Sequence, residues 1–201
     1  MQYGFGVDIG GTTIKIGLFS VDGDLMEKWE IPTNKTDNGK YILTEIADFI
    51  NRTIETKGIE KSDVMGVGLG VPGPVNKNGF VSVCVNLGWN SLNVEKEFHQ
   101  ISGLKVKVGN DANVAALGEM WQGAGKGYQD VLMVTLGTGV GGGCVLNRQI
   151  VSGIHGAGGE IGHMKVSDTE TDVCGCGKCG CLEQLLNKEK EVIFESDDVT
   201  E

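Results

Sequence analysis

Short apolar runs separated by turns alternate along this chain with longer stretches of helical periodicity. The short runs predict buried strands at Tyr3–Ile9, Ile14–Phe19, Leu25–Ile31, Val64–Val71 and Val131–Thr135. Apolar residues at three- and four-residue steps predict helices at residues 41–57, 94–101 and 112–122, the last with Val114, Leu117 and Trp121 as its apolar positions. Polar residues predict loops at 32–39 and 86–90. Strands and helices in this mixed order are typical of an α/β domain with a mixed sheet.

The stretch Val108–Gly123 places a carboxylate at a junction between strand and helix. An apolar strand ends near Val108, Asn110 and Asp111 follow at the turn, and helical spacing begins at Ala112. The field at a helix N-terminus favours the anionic form of a carboxylate, which suits a general base. Aspartate is also a common helix N-cap, so at this point Asp111 has two interpretations, a base or a cap.

Two strand–turn–strand units rich in glycine flank this junction in the sequence. The first turn, Gly10–Thr13, follows Asp8, and the second extends from Gly137 to Gly143. A hairpin tip that exposes backbone N–H groups can hold phosphate, and a neighbouring carboxylate can hold hydrated Mg²⁺. An ordinary hairpin turn is the alternative for either unit alone. Two such units together predict an internal duplication with both loops facing a cleft.

Four cysteines at close spacing predict a metal site, and they are Cys174, Cys176, Cys179 and Cys181. Thiolate and imidazole ligands favour tetrahedral Zn²⁺, and His163 is a fifth candidate ligand. Glu160 lies three residues before His163, so the two side chains share a face in helical or turn geometry. Five candidates for four positions leave both Cys₄ and Cys₃His open.

Charge and composition narrow the class of partner. The 201 residues carry a net charge of −10 and only two arginines, Arg52 and Arg148, which argues against a nucleic-acid or anionic-membrane surface. Backbone N–H groups and a metal ion can still hold a nucleotide without arginine. The N-terminus leads directly into a strand and no apolar run is long enough for a membrane span, so we expect a cytoplasmic protein.

The motifs occur in one order along the chain: DIGGTTIK at 8–15, GLGVPGPV at 68–75, NLGW at 86–89, NDANVAALGE at 110–119, LGTGVGGG at 136–143, GGEIGH at 158–163 and CGCGKCGCLE at 174–183. Together they resemble the bacterial glucokinases of the ROK family (repressors, open reading frames and sugar kinases). The resemblance covers roughly Phe5 to Gln184. It implies an α/β fold of the actin/hexokinase-like ATPase (ribonuclease H-like) type, a duplication whose second domain is incomplete here.

The resemblance also implies roles for individual residues. Asp111 would be the base that accepts the proton of the sugar 6-hydroxyl. The implied sugar-binding residues are Asn86, Asn110, Asp111, Glu160, His163 and Glu183. The implied contacts of ATP and Mg²⁺ are Asp8, Gly10, Gly11, Thr12, Thr13, Lys15, Gly137, Thr138 and Gly139. The implied ligands of a structural Zn²⁺ are His163, Cys174, Cys176 and Cys181, with Cys179 not a ligand.

The resemblance predicts three segments, namely a small domain at 1–108, a partial large domain at 109–186, and a charged tail at 187–201. The family continues after Glu183 into an adenosine-binding segment and a returning helix, neither of which the residues up to Glu201 resemble. We therefore expect weak ATP binding and slow or undetectable turnover, with glucose binding less affected. The complete family member is expected to be a homo-oligomer. Repressor members carry a helix-turn-helix before the first phosphate loop, and this chain leaves no room for one before Asp8.

The function predicted from the sequence is transfer of the γ-phosphate of ATP to the 6-hydroxyl of glucose. A kinase for mannose, fructose or an N-acetylated amino sugar is an alternative within the same family. A zinc-containing sugar-binding fragment without catalysis is the alternative from a different class.

Overall fold

A computed structural model describes residues 1–137, 139–154 and 156–188 of the chain. Predictions that involve Thr138 and residues 189–201 therefore lie outside the described residues. The strands are β1 (Tyr3–Ile9), β2 (Thr13–Ser20), β3 (Leu25–Pro32), β4 (Val64–Val71), β5 (Phe80–Cys84), β6 (Trp89–Asn93), β7 (Val106–Asn110), β8 (Val131–Leu136), β9 (Val140–Leu146) and β10 (Gln149–Ile150). The helices are α1 (Thr36–Gly39), α2 (Ile42–Thr56), α3 (Val94–Ser102), α4 (Asp111–Gln122) and α5 (Leu182–Lys188).

A five-stranded mixed sheet in the order β3-β2-β1-β4-β7 forms the first half of the molecule. Strands β1, β2 and β3 are antiparallel neighbours, whereas β4 and β7 run parallel to β1. Alternate residues of β1, such as Phe5, Val7 and Ile9, point to one buried face, as the two-residue period of a strand requires. That face and the apolar side of α2, which is fully buried at Ile46 and Ile50, belong to one hydrophobic core.

A second hairpin, β5–β6, was not predicted from the sequence. Residues 86–90 were interpreted as a loop, but Trp89 and Asn90 belong to β6, and Asn86 lies in a short 3₁₀ turn between the strands. Both strands are five residues long, and Trp89–Asn93 contains two asparagines, which are poor strand formers. The Trp89 ring is buried and anchors the loop rather than facing solvent.

A smaller sheet, β10-β9-β8, lies against α4 in the second half of the molecule. The predicted glycine turn is shorter than expected, because Gly141–Gly143 belong to β9 and only Gly137–Gly139 connect the strands. Close packing explains the strand glycines, since a Cβ at Gly143 would overlap the carbonyl oxygen of Ala112. The helix therefore lies directly on the backbone of the strand.

The buried face of α4 also differs from the prediction. Apolar spacing indicated Val114, Leu117 and Trp121, whereas the buried residues are Asn113 and Ala116. Trp121 is 54% exposed and packs near Gly23, where a Cβ would lie 2.6 Å from its ring. Among the described residues, no helix is long and apolar enough to cross a membrane.

Candidate active site

Asp111 is the first residue of α4 and does not cap it. Asn110 is the N-cap, and its side-chain oxygen accepts a hydrogen bond from the backbone N–H of Asn113 at 3.0 Å. The Asp111 carboxylate accepts the neighbouring N–H of Ala112 at 2.8 Å and a hydrogen bond from the Asn110 side chain. The cap interpretation of Asp111 is therefore wrong, because the preceding asparagine provides the cap.

The surroundings of Asp111 raise its pKa above the ordinary carboxyl value. Burial is the largest cause, and the negative charge of Asp8 adds to it, while the hydrogen bond from Ala112 acts in the opposite direction. The carboxyl is half-buried at the carboxyl end of β7. A carboxylate whose pKa is raised is a stronger base and is closer to the pH at which proton transfer is needed.

Asn110 was predicted to bind sugar, and the structure gives it structural partners. Besides capping α4, its side-chain amide donates to the carbonyl of Gly73 at 3.2 Å. The Asn110 side chain also forms a hydrogen bond with the Asp111 carboxylate, so it orients the proposed base. Sugar binding by Asn110 therefore stays a prediction alongside its observed capping role.

The first glycine hairpin forms as predicted, with Asp8 on its first strand. The N–H of Gly10 donates to the carbonyl of Thr13 at 3.0 Å and closes the turn. Asp8 lies on β1 opposite Lys15 of β2, and both side chains are exposed. The turn leaves Gly11 and Thr12 at the tip, where backbone N–H groups can meet an anion.

Asn86 lies next to this hairpin. A Cβ at Gly11 would lie 3.6 Å from the Cβ of Asn86, so Asn86 lies close beside the predicted phosphate loop. Both residues line a polar cavity of about 510 Å³ together with Thr12, Lys35 and Asn38. A larger cavity of about 760 Å³ lies against α3 and β7 and contains none of the predicted site residues.

The second glycine turn lies beside Glu183. The N–H of Gly137 donates to the carbonyl of Gly139 at 2.9 Å, and a Cβ at Gly139 would lie 2.9 Å from a carboxylate oxygen of Glu183. The other oxygen of Glu183 accepts a hydrogen bond from the Cys174 thiol at 2.9 Å and lies 3.3 Å from Nδ1 of His163. Glu183 thus connects the second loop to the cysteine-rich segment.

Glu160 and His163 lie on one short turn, as their spacing predicted. A 3₁₀ turn spans Ile161–His163, and the N–H of His163 donates to the carbonyl of Glu160 at 3.2 Å. Gly159, just before Glu160, lies near the buried side chain of Asn113, which is on the first turn of α4. The turn with Glu160 and His163 therefore packs against the helix that carries Asp111.

Four side chains converge in an arrangement that fits a metal ion. The ligand atoms of His163, Cys174, Cys176 and Cys181 all lie within 4.8 Å of one another, a spacing that fits tetrahedral Zn²⁺. Burial raises the pKa of the Cys174 thiol to about 12, whereas the backbone N–H of Lys178 lowers the pKa of Cys176. A divalent cation would favour the thiolate form of all three cysteines.

Cys179 lies outside this group of four. Its thiol approaches the carbonyl of Thr171 at 3.5 Å instead. The set of converging residues is thus the one implied by the family resemblance. Spacing alone had left a set of four cysteines equally open.

Sequence reasoning missed two side chains close to the site. Lys35 lines the polar cavity but lies in a stretch that carried only the signal of a polar loop. The buried thiol of Cys84 is near enough to Asp111 for the carboxylate charge to help raise its pKa, after the larger effect of burial. Neither residue belongs to a recognisable motif. Lys35 lies in the connection between β3 and α2, and Cys84 is the last residue of β5, so the fold and not a local pattern brings each to the site.

Comparisons with known proteins agree with this arrangement. The model of the ROK family matches residues 4–189. A glucokinase of Halalkalibacterium halodurans is 46% identical over 197 residues, which are 98% of this chain and 60% of that protein.

Two solved structures are similar over most of the chain. A ROK family glucokinase from Streptomyces griseus, crystallised with glucose and AMPPNP, has a TM-score of 0.73 and 37% identity over 90% of this chain and 56% of its own. A ROK hexokinase from Thermus thermophilus has a TM-score of 0.77 and 34% identity over 92% of this chain and 60% of its own. The chain therefore spans between 56% and 60% of the length of these relatives.

The two hairpins with glycine turns, the helix that starts at Asp111 and the similarity to these structures identify the fold. It is the actin/hexokinase-like ATPase fold, of which the chain contains the part described above. The family model covers most of the chain, and the matched range of residues 4–189 includes every motif from 8–15 to 174–183. The chain belongs to the ROK family.

Proposed function

We propose that this chain carries the sugar site and the catalytic base of an ATP-dependent glucokinase. The observation that carries the proposal is the state of Asp111, a half-buried carboxylate freed from capping, with a raised pKa and with Asp8 of the first hairpin nearby. Its relatives support the substrates, because one of them was crystallised with glucose and an ATP analogue.

In the proposed reaction, Asp111 accepts the proton of the sugar 6-hydroxyl. The freed oxygen forms a bond to the γ-phosphorus of ATP, the bond from that phosphorus to the β–γ bridging oxygen breaks, and ADP leaves. Asn86 would orient the sugar from the cavity beside the first hairpin, and the backbone N–H groups at Gly10–Thr13 would hold phosphate oxygens. Positioning and charge stabilisation dominate such transfers.

A magnesium ion fits the exposed carboxylate of Asp8 beside the hairpin, and when bound it supplies positive charge to the phosphates. We place a structural Zn²⁺ at His163, Cys174, Cys176 and Cys181. Because Glu183 lies against both Cys174 and the second glycine turn, this metal would fix the geometry of the sugar site without taking part in phosphoryl transfer.

The division into a small domain at 1–108 and a partial large domain at 109–186 is part of the same proposal, as are cytoplasmic location and a homo-oligomeric complete protein. Helix α5 ends at Lys188, and the rest of the predicted charged tail lies outside the described residues.

Two measurements on the chain test the function. Calorimetry with glucose should show binding to the chain. In a form of the protein with measurable turnover, ADP release assayed with glucose, mannose, fructose and N-acetylglucosamine should be greatest with glucose. Turnover should fall in Asp111→Asn. Greater turnover with another hexose would show that this hexose, and not glucose, is the preferred substrate. Binding of both glucose and ATP with no ADP release in any form of the protein would favour the non-catalytic alternative.

A further inference from the structure

The segment of residues 33–39 spans the distance between the predicted phosphate loop and the predicted sugar loop. At its first end, Thr33 is bound to the hairpin tip in two ways. Its N–H donates to the carbonyl of Thr12 at 2.9 Å, and its hydroxyl donates to the carbonyl of Gly10 at 2.7 Å. The position of this end therefore follows the position of the phosphate loop.

The other end of the segment is fixed to the sugar loop. The buried indole N–H of Trp89 donates to the carbonyl of Gly39 at 3.1 Å. Packing there is tight, because a Cβ at Gly39 would overlap the carbonyl oxygen of Leu87, and one at Gly88 would lie 2.9 Å from the Cα of Asn38. Residues 33–39 thus connect the two loops that would bind the two substrates.

The middle of the segment is held as well, and Lys35 is at its centre. The side-chain amide of Asn34 donates to Glu45 at 2.7 Å, and its oxygen accepts the N–H of Thr36 at 3.1 Å. The carbonyl of Lys35 accepts the N–H of Gly39 at 3.3 Å. The backbone on both sides of Lys35 is therefore ordered by contacts, and its side chain lines the cavity of about 510 Å³ together with Thr12 and Asn86.

The charge of Lys35 stands out in this setting. Lys35 is the one cation among the described residues that line this cavity, and none of the salt bridges between described residues involves it. The carboxylates predicted to act in the site are Asp8, Asp111, Glu160 and Glu183. A phosphoryl group that enters so acidic a site needs a positive partner, and an ammonium group on a flexible stem is a common one.

We propose that Lys35 binds the phosphoryl group at its position on the sugar, both during transfer and in the sugar phosphate that results. This rests on the proposed kinase function, and it adds a phosphate-binding residue outside both glycine turns. Because Asn86 and Thr12 line the same cavity, Lys35 shares it with a predicted sugar-binding residue and a residue of the predicted phosphate loop. The ligand is thus a hexose that carries a phosphate dianion, and the neutral hexose does not require the contact.

Calorimetry on the chain tests this with two ligands, glucose and glucose 6-phosphate. Lys35→Met should weaken glucose 6-phosphate binding about tenfold, since one partly exposed charge-assisted hydrogen bond is lost, and should leave glucose binding unchanged. Lys35→Arg keeps the charge and should keep most of the affinity. Lys40→Met is the matched control, because Lys40 lies just beyond the segment, near the Tyr41 ring, and does not line the cavity. Thermal unfolding of each variant checks that the fold is retained.

The outcomes separate the two proposals. If the chain binds neither ligand, the proposed function fails and the role of Lys35 fails with it. If glucose binds but glucose 6-phosphate does not, only the role of Lys35 is overturned. The same holds if Lys35→Met and Lys40→Met weaken the binding of glucose 6-phosphate equally. Equal loss of both ligands in Lys35→Met would show that the residue holds the sugar loop in place and does not contact phosphate.

Discussion

The two halves of this molecule differ sharply in how much apolar surface they bury. The continuous hydrophobic core consists of residues between Phe5 and Val106. Among the described residues after 110, the buried apolar or cysteine side chains are Ala116, Val140, Val145, Cys174 and Cys181. Strand β8 shows the contrast most clearly, because Leu132, Val134 and Leu136 are 64%, 49% and 70% exposed.

The first half therefore contains most of the buried apolar surface that stabilises the fold, and the second half contains most of the residues predicted to act in the site. The first half can fold around α2 and α3 with its own core, whereas the second half carries Asp111, Glu160, Glu183 and the cysteine group with little apolar burial to hold them. Glycine contacts between α4 and β9 and the proposed metal are the main local constraints there. We expect the second half to open at a lower free energy than the first, as regions with few buried contacts do.

Removal of zinc should produce the largest effect, and only in the second half. Structural zinc in small sites has an apparent binding free energy on the order of 10–16 kcal/mol, so its loss should disorder residues 161–183. Hydrogen exchange measured before and after chelation should show faster exchange there and unchanged protection in β1, β2 and β4. Sugar affinity should fall as well, because Glu160, His163 and Glu183 border this segment.

Cysteine variants show which ligands hold the metal. Cys179→Ser should keep one zinc per chain, and Cys176→Ser should lose it, as measured by elemental analysis. If instead Cys179→Ser loses zinc and His163→Ala retains it, the site is Cys₄ and the ligand set proposed here is wrong.

Truncation of one large apolar side chain in each half should sharpen the contrast. Phe98 is fully buried in α3, so Phe98→Ala should lower the free energy of unfolding by about 3–5 kcal/mol. Leu132 is mostly exposed, so Leu132→Ala should change it by less than about 0.5 kcal/mol. Urea denaturation of both variants measures the difference. A loss at Leu132 as large as that at Phe98 would mean that β8 is covered in solution.

The first half is also the part whose structure the sequence predicts best. Apolar runs bounded by glycine or aspartate identify β1, β2 and β4, because alternation and turn chemistry agree at each of them. The glycine hairpin after Asp8 follows from the same signals. The metal group was identified through the resemblance, since spacing could not exclude Cys179.

Other features depend on contacts that no local pattern records. Asp and Asn cap helices about equally well, so the sequence alone could not assign the cap to Asn110 and leave Asp111 free. The β5–β6 hairpin is stabilised by burial of Trp89 and its bond to Gly39, fifty positions earlier in the chain. Lys35 reaches the cavity only because both ends of its segment are fixed to distant loops.

Asp111 lies at the boundary between the halves, and Asp111→Asn should lower the rate of catalysis without lowering the stability of the fold. Loss of a general base should lower the rate by roughly 10²–10⁴-fold, measured by ADP release in a form of the protein with measurable turnover. Stability should not fall, because Asn110 provides the cap and not Asp111. Near-normal turnover in the variant would exclude Asp111 as the base.

The sign of the stability change follows from the pKa of Asp111. Burial raises this pKa above the ordinary value of 3.8, so the folded state disfavours the carboxylate. The contribution of the Asp111 carboxyl to folding stability is complete below its pKa in the unfolded chain and is lost as the pH rises through its pKa in the folded protein. Above that pH the Asn variant, which carries no charge, should be at least as stable as the parent chain. Thermal unfolding at neutral pH measures this.

The smallest predicted effect is a shift in the pKa of Asp111 when Asp8 is neutralised. Burial is the first cause of the raised pKa, and the charge of Asp8 is a lesser one that acts in the same direction. Asp8→Asn should therefore lower the pKa of Asp111 but leave it above the ordinary value. Because the base works only when deprotonated, the acid limb of the rate profile should move to lower pH.

Asp8 is also the proposed Mg²⁺ contact, so the rate itself should fall, and the carboxyl titration is better followed directly by carbon NMR of labelled aspartate. An unchanged titration of Asp111 in Asp8→Asn would show that the two carboxylates, one from each half, do not share a site.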